Sequence, residues 1–184
     1  RIVVVCVGKR PKHWIFEDSR IVVEEVENLN LRHFHSNKTH YLCTRDVDRV
    51  IYLDTDTMVM QPLDVLWRDR PDTDLIARPA TVYGRQDWDQ EAWLEVLHHV
   101  GSAEIPYFNA GFLIFQNRAH QKLNPEWFNR TQRILAGELV KLEPKKIKFA
   151  DQYALALSAG AAQLRYHVLD RTGQGYGWLE EPFD

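Results

Sequence analysis

Cysteine is almost absent: there are two in 184 residues, Cys6 and Cys43, too few for a disulfide framework. Both sit in apolar company, in "IVVVCV" and "YLC", and read as small core residues. No stretch approaches the roughly 20 apolar residues that a membrane span needs. Neither sign of charge dominates, since 23 Lys and Arg stand against 26 Asp and Glu. The densest basic run, Lys145-Lys146-Ile147-Lys148, carries three positive charges and reads as a solvated loop. A nucleic-acid partner is therefore not expected. There is no internal repeat and no linker that would separate two halves, so residues 1–184 read as a single domain. The chain has neither an initiator Met nor a signal segment and opens directly on "RIVVVCVG", which reads as a trimmed chain or a piece of a longer one.

Apolar runs rich in Val and Ile are what remains to organise the fold. Ile2 to Val7, Ile21 to Val23 with an extension toward Val26, and Val50 to Leu53 lack alternation and so predict parallel strands covered on both faces. A fourth run, "FLIFQ" at 112–116, follows a glycine. Between the strands lie helical patterns. Residues 37–45 predict a short helix capped by Ser36 or Asn37. In "RQDWDQEAWLEVLHHVG" a stripe of Trp88, Ala92, Trp93, Val96, Leu97 and Val100 ends at Gly101, as an amphipathic helix does. In "NPEWFNRTQRILAGELVK" Asn124 is the expected N-cap and Pro125 the first helical residue, with Trp127, Phe128, Thr131, Ile134 and Leu135 as the stripe. A last helix is expected from Asp151 to about Ala159, before Gly160. Alternating strands and helices give an α/β sheet, whose ligands gather beyond the carboxyl ends of its strands.

That is where the chain places two carboxylates. The run Val50-Ile51-Tyr52-Leu53 empties into Asp54-Thr55-Asp56. Residues two apart in a strand share a face, so Asp-x-Asp can aim both side chains into one cavity. Like charges that close repel unless a cation attends them. Oxygen-only ligands select a hard ion, Mn²⁺ or Mg²⁺, able also to hold substrate phosphates. Without a cation, one Asp would cap a turn and the other would be solvated. "YLDTDTMV" also matches the D-x-D-x-T of haloacid dehalogenase phosphohydrolases. In those enzymes the motif ends the first strand and a paired acidic motif comes late; here two strand-like runs precede it and no late Gly-Asp-x-x-x-Asp occurs.

Four stretches in order resemble glycosyltransferase family 8, the glycogenin and galactosyltransferase-like group. They are "KTHYLCTRDVDRVIYLD", "VIYLDTDTMVMQPLDVLW" with Asp64 and Trp67, "YFNAGFLIFQ" and "FADQYALAL". The resemblance covers roughly residues 1–157. It implies a GT-A fold, a Rossmann-like and mostly parallel sheet flanked by helices. It also implies metal-dependent transfer, with retention, of a glycosyl group (a hexosyl group) from a nucleotide-sugar such as a UDP-sugar to a sugar, protein or lipid acceptor. By the same resemblance Asp54 and Asp56 bind Mn²⁺ or Mg²⁺, and Thr55 lies between them in the donor site. Lys38 reaches donor phosphate and sugar, Asn109, Ala110 and Gly111 contact the donor sugar, and Asp151 and Gln152 line the reaction centre. Three departures accompany it. "RIVVVCVG" resembles the family's second strand, so the base-binding first strand has no counterpart. The H-x-x-G-x-x-K-P-W segment that supplies a third metal ligand is not found, and His167 in "RYHVLD" lacks its context. Tyr153 and Ala154 follow the D-Q pair where the family has Gly and Asn. These features read as a GT-A domain truncated at both ends, and they keep open a second, non-enzymatic reading as a binding module. The low cysteine content favours the cytoplasm, with a Golgi lumen as the alternative for a fragment of a longer chain.

Other features read as structural. His33, His35 and His40 in "HFHSNKTH" lack a companion cysteine or fourth ligand for zinc. His98 and His99 suit the negative end of a helix. "GQGYG" at 173–177 neither follows a clear strand nor opens a clear helix, and so reads as a loop rather than a phosphate cradle. Trp93 and Trp127 belong to helix stripes, whereas Trp88 and Trp178 are the tryptophans expected nearer an acceptor. The sequons at Asn37 and Asn129 decide nothing, since about one is expected by chance.

Overall fold

The structure, a computed structural model, describes residues 1–30, 32–59, 62–79, 90–101 and 105–169. Trp88, Trp178 and the "GQGYG" segment lie outside these. The chain divides into two compact units, Arg1–Lys38 and Thr39–Asp184.

In the first unit, β1 (Ile2–Val7) and β2 (Ile21–Val26) pair in parallel, from Ile2 opposite Ile21 to Val7 opposite Val26. Parallel pairing of these runs agrees with the sequence. Cover on both faces does not: Ile2 is 59% exposed and Val5 37%, because a two-stranded ribbon has too few neighbours to bury both sides. The chain then enters a 3₁₀ turn, Phe34–Asn37, before α1 (Lys38–Tyr41). The expected side-chain cap is not used. Ser36 Oγ donates back to the carbonyl of His33 at 2.7 Å. The side chain of Asn37 accepts from the backbone N–H of Leu29 at 2.8 Å and donates to Asn28 Oδ1 at 2.9 Å. Buried and so engaged, Asn37 is a structural residue and not an open sequon.

The second unit is built on a four-stranded sheet in the order β3 (Val50–Leu53), β5 (Phe108–Phe115), β4 (Leu75–Pro79), β6 (Tyr166–Val168). β5 runs antiparallel to both its neighbours, and β4 pairs in parallel with β6. The parallel content is thus shared between β1–β2 and β4–β6. Continuous apolarity reports burial on both faces and not strand direction, which is why β5 reads from sequence like a parallel strand. β4 and β6 went unpredicted. In β4 only Leu75, Ile76 and Ala77 form an apolar run before Arg78 and Pro79, although those three are fully buried.

Helices α2 (Gln90–Val100), α4 (Glu126–Leu135) and α5 (Ala150–Ala161) pack on one face of this sheet, with the short α3 (Ala119–Lys122) after β5. Phe108, Leu113, Phe115, Leu75 and Ala77 meet Val96, Trp127, Ile134 and Leu155 in the main core. The predicted stripes hold: Ala92, Trp93 and Val96 of α2 and Trp127, Thr131 and Ile134 of α4 are buried. Their ends shift. α4 begins at Glu126 behind Pro125 without a side-chain cap, and α5 runs through Gly160 to Ala161. Gly160 is needed inside α5, because a Cβ there would come within 2.4 Å of Val100 Cγ1 on α2. The other face carries a smaller cluster of Leu66, Ile76, Ile114 and Leu169. Trp67 packs against it under the Arg49 guanidinium, 4.9 Å from the ring centroid.

Candidate active site

β3 ends at Leu53 and the chain passes directly into a turn, in which Thr57 N–H donates to the Asp54 carbonyl at 3.0 Å. Asp54 is half-buried, while Thr55 and Asp56 are exposed. The two carboxylates therefore come to one region through a turn, and not through the strand alternation that the spacing suggests. Asp54 still belongs to the ladder, with its N–H donating to the Gly111 carbonyl at 2.8 Å. The register continues from Tyr52 opposite Leu113 and Leu53 opposite Phe112. Asp54 thus shares the helix-covered face with Tyr52 and Gly111.

Two contacts fix the Asp54 carboxylate. Tyr52 donates its hydroxyl to Oδ1 at 2.6 Å. On the other side Oδ2 lies against Gly111, where a Cβ would be only 2.7 Å away, and 3.0 Å from Asn109 Oδ1. Gly111 is therefore required by a close approach, not by a turn. Its N–H is received by Asn109 Oδ1 at 2.8 Å, which orients that amide and leaves its NH₂ to donate. Here β5 is irregular against β4. Ala77 faces Leu113 and Pro79 faces Phe108, so five steps along β5 match two along β4. Pro79 has no N–H to give to a ladder, and the register shifts there between β4 and β5. Ala110 is fully buried in the main core, so its side chain has no surface to offer a donor.

The D-Q pair opens α5. Asp151 is 2% exposed and lies in the first turn of α5, where a carboxylate is favoured by the helix dipole. Its carbonyl accepts from Trp127 Nε1 at 2.8 Å, tying the start of α5 to α4. Gln152 is half-buried. The Tyr52 phenol connects this helix end with the strand end. Burial first, and then the negative charge and hydrogen bond of Asp54 and the charges of Asp151 and Asp56, hold its pKa well above the ordinary tyrosine value. It is a hydrogen-bond donor throughout the working range. Tyr107 is raised likewise by burial, then by Tyr153 and Asp151, and its ring lies 5.0 Å from that of Tyr153. Asp54 is thus bonded to a partly buried tyrosine whose pKa is also raised by the charges of Asp151 and Asp56.

Lys38 is the last residue of the first unit and the first of α1. His167 pairs opposite Ile76 in β6, which places it on the smaller-cluster face, away from Asp54. Burial and Arg70 lower its pKa. Among the described residues, no group of three or more His, Cys, Asp or Glu stands ready for a metal. Cys6 and Cys43 are buried and unpaired by disulfide, and burial pushes the Cys43 thiol up to about 12, which makes it inert. Sequence reasoning missed Tyr52 and Tyr107 as site residues. For Tyr52 the signal was available, since it lies two residues before Asp54 in a strand and so on the same face.

The sheet thus ends in two carboxylates beside a glycine and an amide, and comparison with known proteins gives the class. The family model of the Rhodobacterales glycosyltransferase domain matches residues 15–163. The chain belongs to this family, and the phosphohydrolase alternative falls. No curated protein matches the chain. Among solved structures it is similar to the galactosyltransferase LgtC in complex with donor and acceptor sugar analogs, at 22% identity and a TM-score of 0.51 over 80% of this chain and 52% of that one. It is also similar to an active-site mutant of LgtC with glutamate in place of a glutamine, at 20% identity and a TM-score of 0.53 over 83% and 53%. Mouse xyloside xylosyltransferase 1 in its apo form matches at 14% identity and a TM-score of 0.46 over 83% and 63%. The fold is that of the GT-A glycosyltransferases. The chain spans about half the length of the LgtC structures it matches. No helix among the described residues is long and apolar enough to cross a membrane.

Proposed function

We propose that this domain holds the donor half of a retaining, family 8-like glycosyltransferase that takes its hexosyl group from a UDP-sugar. The observation that carries the proposal is the placing of the Asp54 carboxylate at the end of β3, held by the Tyr52 hydroxyl at 2.6 Å and filling the space that a Cβ at Gly111 would take, with Asp56 two residues on in the same turn. Asp54 and Asp56 offer hard oxygen donors, the set that suits Mn²⁺ or Mg²⁺. They account for only part of an octahedral shell, which leaves positions for diphosphate oxygens and water. Bound there, a divalent ion would supply Lewis-acid neutralisation of the leaving nucleoside diphosphate. Asn109 would donate its NH₂ to a sugar hydroxyl, and Gly111 would keep the space beside it open for the Asp54 carboxylate. Asp151 and Gln152 would face the anomeric carbon, with the acceptor attacking on the side from which the diphosphate departs. Lys38 is assigned to donor phosphate by its motif alone.

The test is a titration of UDP into the purified chain with and without Mn²⁺, alongside Asp54→Asn and Asp56→Asn. Binding that needs the metal, and that falls at least about tenfold in each variant, is the expected result. UDP binding indifferent to metal and to both substitutions would overturn the assignment of the pair, and no binding at all would favour a binding module without turnover.

A further inference from the structure

We infer that Tyr52 is a positioning residue for Asp54, its hydroxyl setting the carboxylate plane in which a divalent ion is received. The inference rests on the proposal above that Asp54 and Asp56 hold a metal. A Phe at position 52 would satisfy the packing: the ring is partly buried against the main core, and the residue is an ordinary member of a strand that pairs with β5. The hydroxyl is therefore the informative part. A buried phenol needs a partner, and this one spends its proton on Asp54 Oδ1 at 2.6 Å. With Oδ1 held there, rotation of the carboxylate is closed from one side by the phenol. On the other side Oδ2 takes up the space that a Cβ at Gly111 would fill, 2.7 Å from where that carbon would stand. The same hydroxyl lies within electrostatic reach of Asp56 and Asp151. One donor thus orients a proposed metal ligand beside the proposed reaction-centre carboxylate. Partners of this kind, one step behind a ligand, commonly contribute roughly ten- to a hundredfold in metal affinity.

The experiment uses the whole chain, wild type and Tyr52→Phe, and reads free Mn²⁺ by electron paramagnetic resonance at saturating UDP, with thermal unfolding of each variant in parallel. Gln116→Met is the control. It removes buried hydrogen bonds to the Arg70 and Thr73 carbonyls (2.9 and 3.1 Å) at the opposite end of β5. The expected result is Mn²⁺ affinity at least about tenfold weaker in Tyr52→Phe and unchanged in Gln116→Met, even where both melt a few degrees earlier. Equal Mn²⁺ affinity in Tyr52→Phe and wild type would overturn the inference while leaving the metal site standing. An equal loss in both variants would reduce Tyr52 to a structural role. If wild type itself binds no Mn²⁺ with UDP, and Asp54→Asn behaves identically, the metal site is wrong and the role of Tyr52 falls with it.

Discussion

Gly111 is the residue at which local sequence and site geometry constrain each other most tightly. Any side chain there drives a carbon into Asp54 Oδ2, and the carboxylate cannot retreat while Tyr52 holds its other oxygen. Gly111→Ala should therefore cost about 1–3 kcal/mol of stability through overpacking. It should also weaken metal-dependent UDP binding by at least about tenfold, measured by calorimetry. Near-normal binding would show that Asp54 has freedom that its two contacts deny. Other residues that look chemical in sequence are shown to be structural by their partners. Asn37 is consumed by Leu29 and Asn28, and Asp64 by an i, i+4 pair with Arg68. Trp67 is consumed by the Arg49 stack.

Elements explain how those residues are carried. The start of α5 is pinned through Trp127 to α4, and its C-terminal part is pinned to α2 at Gly160. Gly160→Ala should destabilise by about 1–3 kcal/mol in denaturant unfolding, and Val100→Ala in the same chain should recover part of the loss by clearing the contacted methyls. A neutral Gly160→Ala, gaining only the helix propensity of alanine, would mean that α2 and α5 can separate. At this scale the sequence was legible where a stripe repeats, as in α2 and α4. It was poorly legible where boundaries depend on neighbours. Asn124 and Ser36 have cap chemistry but are not used as caps: Ser36 Oγ turns back to the His33 carbonyl, and α4 starts behind Pro125. β4 and β6 are legible only once paired: three apolar residues in each neighbourhood carry too little periodicity to separate a strand from a loop.

For the whole molecule, two buried groups predict how stability follows pH. Asp74 is buried and bidentate to Arg165, at 3.1 Å through both Nε and Nη2. The side-chain bond to Arg165 leads the causes that lower its pKa below the ordinary 3.8. His120 is fully buried, with Arg45 O at 2.8 Å from Nε2, and burial leads in lowering its pKa below 6.5. Both folded pKa values lie below the unfolded ones, so both contributions are complete at neutral pH and disappear as pH falls. His120 loses its share first, starting near its unfolded value of 6.5. Asp74 loses its own from about 3.8 downward. Urea unfolding from mildly alkaline pH down to about pH 3 should show two descending limbs. His120→Gln should flatten the upper limb and Asp74→Asn the lower. A single limb unaffected by either variant would contradict the assignment.

The sequence by itself determined the strand and helix inventory wherever hydrophobic periodicity is long. It also determined that a carboxylate pair comes after a buried strand, and, through four ordered motifs, that the chain is a glycosyltransferase. These are one-dimensional properties: composition, period and spacing survive without any knowledge of what packs on what. Tertiary structure alone decided that β5 runs antiparallel between β3 and β4, that a turn rather than strand alternation brings Asp56 round, and that the chain forms two units divided at Lys38. It also decided that Tyr52, an ordinary strand residue on paper, donates its hydroxyl to Asp54. Each depends on contacts between residues far apart in the chain, because direction, register and burial are properties of pairs of elements that no single segment contains.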